Sequence, residues 1–146
     1  MTSPQAAAKR RQVTHAAWAL ALLLIATGTW HFAAPNGFES IVPRFLGSPA
    51  FWVNSSGAAE LACAAALLIP PARSTAGWAC AVLFVAVYPA NITMALDSSH
   101  AHGNQLIAWL RLPLQIPLIM WAVYIARRAD RTPQAPLAAP EAPHHC

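Results

Sequence analysis

The chain has 146 residues, a net charge of +4 and a 57% share of hydrophobic residues, yet only 10% of it is charged. A soluble domain carries roughly 25% charged residues, so this composition cannot cover a water-exposed surface and reads as a membrane protein. The basic residues are scattered and build no basic face, which argues against a nucleic-acid partner.

In chain order, residues 1–14 form a basic leader containing Lys9, Arg10 and Arg11. Four apolar segments follow, at 16–34, 51–70, 76–96 and 106–125. Each is close to the ~20 residues that cross a ~30 Å hydrocarbon core. The first has the basic front of a signal peptide, but its apolar run is long for one. Trp30, His31 and Phe32 also make a poor cleavage context, so it is read as a retained span. The loop at 35–50 is apolar for a loop. Phe38, Ile41, Val42 and Phe45 recur at helical spacing until Pro43 interrupts them. This predicts a short interfacial turn over the outer mouth.

The second span is rich in Gly and Ala, which lets backbones approach closely, and it carries Glu60. Pro70 and Pro71 predict a tight turn before the third span. Pro89 predicts a kink near Val85. After an outer loop at 97–104, the fourth span carries Arg111, then Gln115 between Pro113 and Pro117. Residues 129–146 are Ala/Pro-rich and are expected to be a disordered cytoplasmic tail.

The basic residues fix an orientation. Lys9, Arg10, Arg11, Arg73, Arg127, Arg128 and Arg131 share one side if all four segments span, and Arg44 alone falls in an opposite loop. The positive-inside rule places that side, and both termini, in the cytoplasm. The six tryptophans fit two interfacial belts. The expected architecture is therefore all-α: a four-transmembrane-helix bundle occupying residues 15–128, in the lipid bilayer.

Charges inside a bilayer cost roughly 2.5–3.5 kcal/mol each on insertion scales, so they face a bundle interior or a wet cavity and usually have a partner. Counted from the outer end, Glu60 lies roughly 13 Å deep and Arg111 roughly 9 Å at 1.5 Å per residue. The long Arg side chain makes them candidate partners. Gln115 is one turn deeper than Arg111, Tyr88 shares a face with Asn91, and His31 lies near the outer end of the first span. These six residues, His31, Glu60, Tyr88, Asn91, Arg111 and Gln115, form a candidate polar cluster in the outer half. One reading is a cavity for a polar head group such as a quinone carbonyl. The other is a structural Glu60/Arg111 ion pair holding helix register in a non-enzymatic scaffold or assembly partner. The sequence carries no phosphate loop, nucleophile elbow or His-Glu-x-x-His motif, and no metal site or further cofactor is expected. Cys63 and Cys80 sit on different spans, near mid-membrane and toward the inner side when counted from opposite ends. They are read as small core residues rather than a disulfide.

The stretches GTWHFAAPNGFESIVP, WVNSSGAAEL, VAVYPANITMAL and RLPLQIPLIMWA, around His31, Glu60, Asn91 and Arg111, together resemble the DoxX-like family of bacterial inner-membrane proteins. The resemblance covers most of residues 28–122. It implies a four-helix protein of the bacterial inner membrane. Some members of that family are subunits or partners of membrane redox systems, including thiosulfate–quinone oxidoreduction and an oxidative-stress complex. What it implies here is a small redox-associated component, not an enzyme on its own, with a quinone as ligand and a membrane redox subunit or a second copy as partner. No redox cysteine motif carries disulfide chemistry over with it.

Overall fold

The computed structural model describes residues 3–39, 42, 47–97 and 105–130. Their regular structure is entirely helical: α1 (Pro4–Ala33), α2 (Pro35–Glu39), α3 (Pro49–Leu68), a 3-10 turn (Pro70–Ala72), α4 (Arg73–Asp97) and α5 (Gln105–Asp130). Four helices are long and apolar enough to cross a membrane, as composition requires. The tail beyond Asp130, Arg44, His100, His102 and Cys146 lie outside the described residues.

The element boundaries follow local chemistry. α1 starts at Pro4 rather than near residue 16, so the basic leader is a helical extension of the first span. The Ser3 side chain accepts from the Ala6 N–H at 3.3 Å, and Pro4 stands where a missing N–H costs nothing. α3 also starts on a proline, Pro49, after Ser48, whose side chain makes no capping hydrogen bond. It ends at Ile69, which precedes a proline and adopts extended backbone, φ −89° and ψ 110°. α4 then begins at Arg73, earlier than the expected residue 76. Pro89 lies inside α4, and Pro113 and Pro117 lie inside α5.

The helices pack as two antiparallel pairs, α1 on α3 and α4 on α5. Thinner contacts join α3 to α4 and α1 to α5. Glycine sets the closest approaches. A Cβ on Gly57 would stand 2.9 Å from the His31 Cβ and 3.1 Å from the Gly28 carbonyl oxygen. A Cβ on Gly77 would stand 2.7 Å from the Ala126 backbone nitrogen. Ala17, Leu20, Leu24, Ala64, Leu67, Cys80, Ala122 and Ile125 fill the buried core between the pairs. The outside carries large apolar side chains such as Trp18, Leu22, Val82 and Met120, the surface expected of a bundle solvated by lipid.

Arg73 stands at the turn between α3 and α4. It is buried, donating from Nε to the Leu67 carbonyl at 3.1 Å and from a terminal guanidinium nitrogen to Thr14 Oγ1 at 3.0 Å. It thereby caps the last turn of α3 and ties α1 to the α3–α4 turn. Ser74 Oγ donates to the Ala126 carbonyl at 3.1 Å, closing α5 onto the same end. Antiparallel packing thus gathers Lys9, Arg10, Arg11, Arg73, Arg127 and Arg128 toward one end of the bundle, away from α2.

Candidate functional site

Each helix pair holds its own polar group. In the first, Glu60 projects from the small-residue face of α3 onto α1 and is buried, its side chain 11% exposed. Thr27 Oγ1 donates to Glu60 Oε2 at 2.5 Å, the short end of the range for a hydrogen bond to an ionised oxygen. The hydroxyl also lies 3.1 Å from the Leu23 carbonyl. It can therefore donate to the carboxylate, or accept from a protonated Glu60 while donating to Leu23.

His31 lies four residues after Thr27, hence on the same helical face. Its Nδ1 stands 2.9 Å from the Thr27 carbonyl and 3.9 Å from Glu60 Oε2. Donation to that carbonyl commits Nδ1–H to the protein and leaves Nε2 for another hydrogen-bond partner. Phe38 of α2 stacks on the imidazole with ring centroids 4.0 Å apart and planes 20° from parallel. Phe38 thus contributes a ring to the site, while Ile41, Pro43 and Phe45 of the expected turn lie outside the described residues.

In the second pair, Gln115 is buried on α5 and donates from Nε2 to the Phe84 carbonyl of α4 at 2.6 Å. Its Oε1 accepts from Asn91 Nδ2 at 3.3 Å. Pro89 removes the helical donor of the Val85 carbonyl, four residues before it; the Gln115 bond falls one residue earlier, on Phe84. Thr93 Oγ1 adds a local bond to the Pro89 carbonyl at 3.1 Å.

The six predicted residues therefore divide. His31 and Glu60 meet, and Asn91 and Gln115 meet. Tyr88 is half-buried on α4 and has no hydrogen-bond partner among the described residues. Arg111 is half-buried on α5, one turn before Gln115. The partners of the Glu60 carboxylate, Thr27 and His31, both come from α1, and Arg111 is not among them. Sequence reading missed Thr27, Phe38 and the Phe84 carbonyl. The Thr27–His31 spacing of four on one span was the one available signal, because it places a hydroxyl beside the imidazole.

Cys63 and Cys80 are free thiols: Cys80 is buried in the core, and Cys63 is half-buried and packs against the same cluster. Among the described residues no group of three or more His, Cys, Asp or Glu side chains could hold a metal ion.

Searches of characterised proteins and of solved structures found no significant match. One family model does match, over residues 20–126, which takes in both polar groups and all four long helices. The chain belongs to that family, described as a domain of unknown function (DUF8561).

Proposed function

We propose that the chain is a small multi-pass component of the bacterial inner membrane, with both termini cytoplasmic. It holds the head group of a quinone-like molecule against His31 and Glu60 in the outer half, and serves membrane redox metabolism with a partner rather than as an enzyme alone. One observation carries the reading. Among the described residues, the buried carboxylate stands beside an imidazole, 3.9 Å away, and not beside a permanent cation. A quinone carbonyl needs a hydrogen-bond donor when oxidised, and two proton partners when it is reduced to a hydroquinone. His31 Nε2 and Glu60 are groups of that kind, and the Phe38 ring offers a face for stacking. The basic residues gathered at the opposite end support the orientation, and the resemblance to DoxX-like proteins supports the redox association.

A second reading, a scaffold whose polar groups only fix helix register, is favoured by the close Gly28–Gly57 crossing and by polar side chains satisfied within the protein. Binding of a fully substituted short-tail benzoquinone to the protein in lipid nanodiscs separates the two. The head-group reading expects saturable binding, weakened at least about tenfold in Glu60→Gln and in His31→Ala with thermal stability retained, the loss of one charged hydrogen bond. Absence of saturable binding by the unaltered protein overturns it.

A further inference from the structure

The last turns of α5 are used by neither polar pair. Ile119, Met120, Val123, Tyr124, Arg127 and Arg128 line an open depression of about 490 Å³ there. They recur in pairs every four residues, hence on one helical face. From Ile119 to Arg127 is roughly 12 Å along the axis at 1.5 Å per residue. The face is turned outward, with Met120 67% exposed and Tyr124 39% exposed. In a bundle solvated by lipid it looks onto acyl chains. Its polarity is graded. Ile119, Met120 and Val123 give an apolar floor, and Tyr124 joins an apolar ring to a polar tip. The two arginines stand in the last turn of α5, where hydrocarbon gives way to head groups. The Arg128 guanidinium carbon lies over the Tyr124 ring, 5.6 Å from its centroid, within the range of a cation–π contact. The same end of the bundle gathers Lys9, Arg10, Arg11 and Arg73, and among the described residues Asp130 is the only acidic side chain there.

We propose that this face of α5 binds one anionic glycerophospholipid, its phosphate held by Arg127 and Arg128 and an acyl chain lying along Val123, Met120 and Ile119. Charge complementarity selects the occupant. A zwitterionic head group brings its own cation toward the arginines, and an anionic one does not. The planar arginine fork matches phosphate oxygens in pairs, and basic residues beside a span attract acidic head groups. A soluble anion would use the arginine end and leave the apolar floor empty. A lipid fills both, because its charge and its chain are joined at the same boundary that separates Arg127 from Val123. The site stands at the opposite end of the bundle from His31 and Glu60 and does not depend on what binds there.

The test uses the full chain, stripped of lipid in a neutral detergent and titrated with short-chain phosphatidylglycerol or phosphatidylcholine. Bound lipids are counted by native mass spectrometry. The expected result is one phosphatidylglycerol per chain, held at least about tenfold more tightly than phosphatidylcholine. Each basic residue beside an acidic head group contributes about fivefold, so Arg127→Gln and Arg128→Gln together should weaken binding about 25-fold and abolish the preference. Both side chains are exposed, so the thermal unfolding of this variant should match the parent's. Lys9→Gln, Arg10→Gln and Arg11→Gln together remove more charge from the same end but leave the depression intact, and should keep the preference. Tyr124→Leu should weaken binding about two- to fivefold, and Tyr124→Phe, which keeps the ring, should not. Equal affinity for the two lipids overturns the proposal. So does a loss in the Lys9, Arg10 and Arg11 variant as large as that in the Arg127 and Arg128 variant, which would show diffuse attraction without a site. Displacement of the lipid by inorganic phosphate at a similar concentration also overturns it, because the apolar floor would then contribute nothing.

Discussion

Replacing Gly57 with alanine tests the crossing of α1 and α3 that brings His31 to Glu60. The added Cβ would meet the His31 Cβ at 2.9 Å, the Phe32 Cε2 at 2.9 Å and the Gly28 carbonyl oxygen at 3.1 Å. The Phe32 ring can turn aside. The other two atoms are fixed to the α1 backbone, and ordinary contact begins at 3.4 Å, so α1 must retreat by roughly 0.5 Å. Overpacking of this kind costs about 1–3 kcal/mol, while alanine returns up to about 1 kcal/mol of helix propensity. The net expectation is a loss of about 1–2 kcal/mol, or about 2–8 °C in Tm for a chain of this size. Gly37 provides the control, because a Cβ there meets nothing within 4 Å. Thermal unfolding in a single detergent, followed by tryptophan fluorescence, compares the two variants with the parent. Gly57→Ala should unfold earlier and Gly37→Ala should not. A Gly57→Ala protein as stable as its parent would refute the close crossing, and with it the geometry of the His31–Glu60 pair.

Three further outcomes follow from the hydrogen bonds. Thr27→Val removes the donor to Glu60 while keeping side-chain shape, and should cost about 1.5–3 kcal/mol where Glu60 is ionised; chemical denaturation at neutral and acidic pH checks it, with a smaller loss once Glu60 is protonated. Gln115→Leu removes the α4–α5 bond at 2.6 Å to the Phe84 carbonyl and should cost about 1–3 kcal/mol, seen as faster amide hydrogen exchange around Pro89. Arg73→Lys keeps the charge but cannot reproduce the fork that reaches both Leu67 and Thr14; a loss of about 2 kcal/mol in Tm-derived stability is expected, and unchanged stability would show the clasp to be incidental.

The bundle was legible because its signal is compositional. Four apolar stretches of spanning length need no long-range information, and hydropathy finds them. The boundaries were less legible. The leader joins α1 because Ser3, Pro4 and the alanines that follow favour helix even outside an apolar span. The polar cluster was half legible. Depth from the helix ends put all six residues in the outer half and matched Glu60 to Arg111, without identifying the pairs His31–Glu60 and Asn91–Gln115. Depth says nothing of which helices are neighbours. Glu60 has its partners on α1 because the small-residue face of α3, with Gly57 at its centre, turns to Gly28 and not to α5. Helix rotation is set by such contacts, and a single sequence records them only as scattered glycines.

The two buried charges that the structure pairs carry different implications. Arg73 donates to a backbone carbonyl and a threonine hydroxyl that cannot ionise. That arrangement changes nothing when pH or redox state changes, and it is what a structural clasp requires. Glu60 could have been held in the same way, by a permanent cation or by backbone donors. It is held instead by a hydroxyl with a second acceptor at hand and by an imidazole. Each of those partners can rearrange when a proton arrives, so the group has more than one satisfied state. A carboxylate needed only for register gains nothing from that freedom and loses rigidity. The contrast within one chain is therefore an argument for exchange at Glu60: the fold shows at Arg73 how it satisfies a charge meant to stay fixed, and it satisfies Glu60 differently.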